Sequence, residues 1–161
     1  MITNELSIPE YIEGIPTEKK RSKERVALIK RYYQCLWRIL QIKGQGNWIV
    51  NDFLGTNIYI VERESDKKTV YAASNNWQST CAVKYLEEVV SKATKIDDGP
   101  IYSRPKGKTQ KANGYKDIVV LHHKVSVKHH PNLNFLAKLT IGVKANGKHI
   151  QYCVNKVERI K

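Results

Sequence analysis

The sequence has no run of about 18 apolar residues, and its opening stretch, MITNELSIPEYIEG, has neither the basic start nor the apolar segment of a secretory signal. A spanning helix is therefore not expected, and the chain reads as cytoplasmic and unattached to membrane. Cysteine is scarce and scattered: Cys35, Cys81 and Cys153 form no C-x-x-C and no Cys/His ligand spacing. A disulfide framework and a structural zinc site lack support, and buried free thiols are expected. No glycine-rich phosphate loop and no G-x-S-x-G elbow occurs, so nucleotide hydrolysis and serine esterase chemistry also lack support. The histidine-rich stretch HHKVSVKHH contains no Asp or Glu and splits its pairs between the ends of a strand, which speaks against a metal. No metal or other cofactor is expected.

Acidic residues are the other shortage. There are 15 against 28 Lys plus Arg, a formal net charge of +13, which exceeds what solubility requires of a small domain. A polyanionic partner follows, RNA or DNA with RNA favoured, against the plainer readings of an unspecific basic surface, an acidic protein partner or an anionic membrane. The 161 residues, 41% hydrophobic and 27% charged, suit one folded domain.

Residues 1–17 hold Pro9, Gly14 and Pro16 and read as an irregular arm before a single domain at 18–161. Thr17 or Ser22 caps a helix whose apolar face is Val26, Ile29, Tyr33, Leu36, Trp37 and Leu40, ending near Gly44. Its first turns carry Lys19, Lys20, Arg21, Lys23 and Arg25, a poor match to the positive end of the helix dipole, so either an anion or solvent accounts for them. Short strands NWIV, NIYIVE and TVYAAS follow, with a hairpin over 58–73. Asn75 or Asn76 caps a second helix over 78–95, with Cys81 or Ala82, Leu86, Val89, Val90 and Ala93 inward. Residues 97–116 form a long basic loop, a length that usually signals function or mobility. The last third predicts a three-stranded meander, with Pro131-Asn132 and Asn146-Gly147 turns, the latter of type I′. The fold class is α+β, two main helices packed on one face of an antiparallel sheet.

Period-two alternation sorts the meander. Val119, Leu121, His123, Val125 and Val127 face one way, and His122, Lys124, Ser126 and Lys128 the other. Lys138, Thr140 and Lys144 oppose the apolar side of the second strand; on the third, Ile150, Tyr152 and Val154 are expected in the core and Gln151, Cys153 and Asn155 opposite. His122, Lys124, Lys138 and Thr140 have the parts for metal-independent RNA cleavage. An imidazole titrating near neutrality takes the proton of a ribose 2′-OH, while lysines and hydroxyls stabilise charge on the attacked phosphate, leaving a 2′,3′-cyclic phosphate. The plainer reading is a solvated lysine-rich face with one incidental histidine. His123 is expected as a hydrogen-bonded core histidine and His129-His130 as a turn pair. Ser126, Lys128, Lys144, Arg104, Lys106, Lys108 and Lys111 are candidate nucleic-acid contacts, with Tyr102 and Tyr115 to stack on bases, an arrangement suited to single strands.

The segments NIYIVERESDKKTVYAAS, AVKYLEEVVSKATKI, VVLHHKVSV and LAKLTIGVKANGKHIQYCVNKV, between Asn57 and Lys156, resemble a domain of phage and conjugative-element polyvalent proteins. Those domains are similar to the barnase, EndoU, colicin and RelE nucleases, in which a helical part precedes a four-stranded antiparallel sheet. The resemblance implies a metal-free ribonuclease, a toxin or effector of a mobile element, with Lys68, Thr69 and Ser74 lining the site beside the sheet residues. The chain departs from that pattern at SNNWQST, where such nucleases often place a histidine. The alternatives are a noncatalytic RNA- or DNA-binding module, or an inhibitor or adaptor docking on a nucleoprotein complex.

Overall fold

Three- and four-residue spacing winds Ile29, Tyr33, Leu36 and Leu40 into one stripe, and in the computed structural model of the chain helix α1, Lys23–Ile42, buries all four. The structure describes residues 23–44, 46–74, 77–105, 110–111, 113–126 and 134–156. The expected arm, its capping residues, Asn75, Asn76, the His129-His130 pair and the Pro131-Asn132 turn lie outside them. Trp37 is partly buried, and its indole N–H donates to the Ile60 carbonyl at 2.9 Å.

The first hairpin joins β1, Trp48–Asn51, to β2, Thr56–Tyr59. It is fixed by Asn51, a fully buried amide. Asn51 Nδ2 donates to the Val90 and Ala93 carbonyls at 2.7 and 3.0 Å, and its Oδ1 accepts the Leu54 N–H at 2.8 Å. One side chain thus shapes the turn and caps the end of a later helix.

The expected hairpin over 58–73 is not formed. TVYAAS belongs to helix α2, Asp66–Ala73, in which Thr69 and Ala73, four residues apart, turn inward. Thr, Val and Tyr favour a strand by composition, but the burial spacing is helical and tertiary packing decides. The second helix is broken in two: α3, Trp77–Lys84, and α4, Leu86–Lys92, meet at Tyr85, whose ψ of 25° leaves the helical range. Cys81, Ala82 and Val83 are all buried, and three consecutive positions span more of a helix than one stripe. The bend lets that triplet and Leu86, Val89 and Val90 share one core.

The meander is present as β3, Tyr115–Ser126, β4, Asn134–Lys144, and β5, His149–Lys156. The β4–β5 turn closes by Gly147 N–H to the Lys144 carbonyl, and only Gly147 takes positive φ, at 89°. Asn146 is not left-handed, so the turn is not type I′; its side chain instead accepts the Lys148 N–H. The five strands lie in the order β1-β2-β5-β4-β3, and the β2–β5 pairing is parallel, so the sheet is mixed rather than wholly antiparallel.

β2 leaves the sheet after Tyr59, and helices replace it along β5. Val154 N–H donates to the Thr69 hydroxyl of α2 at 3.2 Å, and Lys156 N–H to the Ser79 hydroxyl of α3 at 2.9 Å. Helical hydroxyls thereby satisfy strand amides that have lost a neighbour. At the opposite edge, Thr94 and Ser103 form isolated bridges to His122 and Ile118, so the start of the long loop runs beside β3.

The two sheet faces are unequal. One is buried under α1, α3 and α4 in a core that includes Val119, Leu121, Leu139, Ile141 and Val154. The other carries a smaller cluster of Tyr115, Ile118, Ile150, Tyr152 and Cys153, covered by Tyr59, Val61 and Ala72. A bulge separates the halves of β5: Thr140 pairs with Cys153 but Ile141 with Gln151, leaving Tyr152 as the extra residue. This overturns the expected alternation. Ile150 and Tyr152 join the second cluster, and Gln151 is fully buried beside Tyr33, whose hydroxyl lies 3.0 Å from both Gln151 Oε1 and the Ser65 carbonyl.

Candidate nucleic-acid interface

The second face is covered at one end and open at the other. Strand register aligns Val120, Thr140 and Cys153 in one row, His122, Lys138 and Asn155 in the next, and Lys124 with Leu136 in the third. Ser126 and Asn134 complete the exposed end. Lys124 and Ser126 are exposed, whereas His122, Leu136, Lys138 and Asn155 are half-buried. No residue of these rows is acidic. The open half is therefore a cationic floor with one imidazole.

His122 is the most constrained group on it. Its Nδ1 is buried without a hydrogen-bond partner among the described residues, and so is Asn155 Oδ1 on the far side of Lys138. Burial lowers the His122 pKa first and the neighbouring Lys138 charge lowers it further, while Asp97 pulls weakly the other way. The imidazole is thus kept neutral at neutral pH. Asp97 is itself committed to Lys95 and the Gly99 N–H. The buried Cys153 thiol, raised to about 11 by desolvation, feels both Lys138 and Lys68. Lys68 itself lines a cleft with Arg63, Glu64, Lys67, Tyr71 and Asn113.

Other expected site residues are placed elsewhere. Thr140 is buried at 8% exposure, beneath the surface it was expected to line. Tyr115 does not stack on a ligand: it is 5% exposed, edge-on to Tyr152 at 5.5 Å, and its ring lies where a Gly142 side chain would be, 2.3 Å from that glycine's would-be Cβ. Burial, then the Glu64 charge, pushes its phenol well above the usual range. Lys144 is engaged rather than free, its Nζ donating to Glu64 Oε1 at 2.6 Å and to the Asn113 carbonyl at 2.5 Å. Thr69 and Ser74 are buried; Thr69 bonds the Ser65 carbonyl, Gln151 and Val154 rather than lining a site. Arg104 and Lys111 are exposed, while Lys106, Lys108 and Lys128 lie outside the described residues. Of the cations at the start of α1, Lys23 is exposed and Arg25 buried, and Lys19, Lys20 and Arg21 lie outside. His123 faces the helices and pairs with Glu88 at 2.8 Å. Tyr102 is occupied with His149 Nε2 at 3.2 Å.

The sequence reading passed over a cleft of about 540 Å³ lined by Arg63, Glu64, Lys67, Lys68, Tyr71 and Asn113. Its only sequence signal was the run of lysines before TVYAAS, which the strand assignment would have split between two faces. On α2, Lys67, Lys68 and Tyr71 fall at three- and four-residue intervals and share a side, and Glu64 joins them from the turn before it.

Among the described residues no helix is long and apolar enough to cross a membrane, and no three His, Cys, Asp or Glu side chains gather as metal ligands. Comparison with protein-family models, with curated proteins and with solved structures returns no match for this chain.

Proposed function

We propose that this chain is a nucleic-acid-binding protein of the cytoplasm that lays single-stranded RNA across the open half of its β3–β4–β5 face. The observation that carries this reading is the row His122–Lys138–Asn155, flanked by Lys124, on a strand surface without a carboxylate. Phosphates meet the lysines along these rows. A single strand suits the surface because an open sheet accepts splayed bases, whereas duplex RNA presents them edge-on in a deep groove. Fluorescence anisotropy with a labelled single strand tests it. Affinity should fall steeply with salt, and Lys124→Ala should reduce the slope of log affinity against log salt by about 0.7, the value for one single-strand phosphate contact. A slope near zero for the wild type would exclude the reading.

Cleavage is the second reading, favoured by the lowered pKa of His122 beside Lys138. Neutral His122 takes the 2′-hydroxyl proton, the 2′-oxygen attacks phosphorus as the bond to the 5′-oxygen breaks, Lys138 stabilises the charge on the phosphoryl oxygens, and the leaving 5′-oxygen takes a proton from water. The products are a 2′,3′-cyclic phosphate and a 5′-hydroxyl. Incubation of total RNA and tRNA with the protein in EDTA decides between binder and enzyme: absence of cleavage, or equal cleavage by His122→Ala, leaves binding alone.

A further inference from the structure

The cleft beside α2 combines features that the sheet face does not. Arg63, Lys67 and Lys68 bring three positive charges to it, and Tyr71 is 62% exposed on its wall with Lys68 Nζ 5.5 Å from the ring centroid. One acid, Glu64, lines the cleft with them, and its Oε2 is buried without a partner among the described residues. Glu64 Oε1 accepts from Lys144, and Asp66 accepts the Arg63 N–H at 2.7 Å while its charge acts on the buried Tyr33. Glu62 lines a separate groove with Trp37, Gln41 and Asn47. Arg63 is also the only non-glycine among the described residues at positive φ, 72°, a conformation disfavoured by its Cβ and held here by Asp66. The chain thus holds backbone strain at the rim of this cationic cleft.

We propose that this cleft is a nucleotide site that stacks one base on Tyr71 and holds a terminal phosphate monoester with Arg63, Lys67 and Lys68. Its volume lies in the range of roughly 300–1,000 Å³ usual for small-ligand sites. Three cations match a monoester, which carries about −1.5 to −2 charges at neutral pH, better than the single charge of a diester. An exposed tyrosine accepts any base, since every base has a π-face. Lys68 precedes Thr69, whose hydroxyl accepts the Val154 N–H of β5, so α2 sets the cleft beside the sheet. The inference deepens the single-strand reading: the phosphorylated end of the strand enters the cleft and the body crosses the sheet. The same chemistry could come from a free mononucleotide.

Affinities are measured for one short RNA sequence with a 5′-phosphate, with a 3′-phosphate or with hydroxyls at both ends, and for adenosine monophosphate alone. One phosphorylated strand should bind about tenfold tighter than the hydroxyl strand, a gain of the size of one stacked base or charge-assisted contact. Tyr71→Ala and Lys67→Ala, both at the surface, should abolish that advantage, whereas Lys124→Ala should weaken all three strands alike. Equal affinities for the three strands, or an advantage that survives both cleft variants, overturns the proposal while leaving the sheet reading intact. If the hydroxyl strand does not bind, the sheet reading fails and the mononucleotide decides separately. Its binding, weakened by Tyr71→Ala, supports a site for free nucleotide, and no binding overturns the site.

Discussion

Thr69→Val replaces one hydroxyl by a methyl of nearly the same shape, so its cost isolates the hydrogen bonds. Thr69 Oγ1 donates to the Ser65 carbonyl at 2.9 Å and accepts the Val154 N–H at 3.2 Å and Gln151 Nε2 at 3.3 Å, all in a fully buried environment. The Ser65 carbonyl retains the Tyr33 hydroxyl, 3.0 Å away, as a donor. The Val154 amide has no such reserve, because β2 has already left that edge. A buried donor stripped of its partner costs about 1–3 kcal/mol, and the longer Gln151 bond adds a fraction of that, so a loss of about 2–4 kcal/mol is expected. Thr69→Ser keeps the hydroxyl and forfeits one buried methyl, about 1 kcal/mol. At about 2–4 °C per kcal/mol for a chain of this length, valine should lower Tm by roughly 5–15 °C and serine by a few degrees. Urea unfolding followed by circular dichroism gives the free energies, and amide hydrogen exchange at Val154 reports on the bond itself. Equal stability of valine and wild type, or serine more damaging than valine, would refute the idea that α2 serves β5 as a substitute strand.

Gly142→Ala should destabilise by about 1–3 kcal/mol, because the added Cβ would stand 2.3 Å from the Tyr115 ring, itself pinned against Tyr152. Combining it with Tyr115→Ala should cost less than the sum of the single changes, and strict additivity in thermal melts would contradict the close approach. The depressed His122 pKa makes a pH prediction whose sign is fixed by linkage. The unfolded chain binds the proton from about pH 6.5 downward and the folded chain only at lower pH, so stability present above 6.5 is lost as pH falls through the folded pKa. His122→Asn should flatten that loss, measured as melting temperature across the acid range. An NMR titration should place His122 below the usual histidine value, with Lys138→Met raising it only partway, because burial is the larger cause.

Elements whose local and tertiary preferences agree were legible in the sequence. α1 and the β3–β4 pairing follow from periodicity, and the placement of His122, Lys124 and Lys138 on one face follows from alternation. The reading went wrong where long-range context competes with composition. TVYAAS is strand-like by residue type yet is helical because Thr69 and Ala73 fit the core four residues apart. Tyr115 and Lys144 look like ligand-binding residues in a basic sequence, but Gly142 makes room for one and Glu64 neutralises the other, partners 27 and 80 positions away in the chain. No local rule couples such distant positions. The cleft was missed for the same reason as α2, since its lining converges only once that segment is a helix.

The bulge at Tyr152 makes β5 a strand with two phases. Before it, odd-numbered Gln151 points into the core; after it, even-numbered Val154 does, and odd-numbered Cys153 turns to the opposite face. The rule that sorts a substitution as interior or exterior therefore changes sign within one strand. Deleting Tyr152 would bring Gln151 and Cys153 into adjoining positions of an unbroken ladder opposite Ile141 and Thr140, with Gln151 still inward and Cys153 still on the opposite face. The single inserted residue thus adds an aromatic ring to the second cluster, edge-on to Tyr115, while both halves of the strand keep their faces.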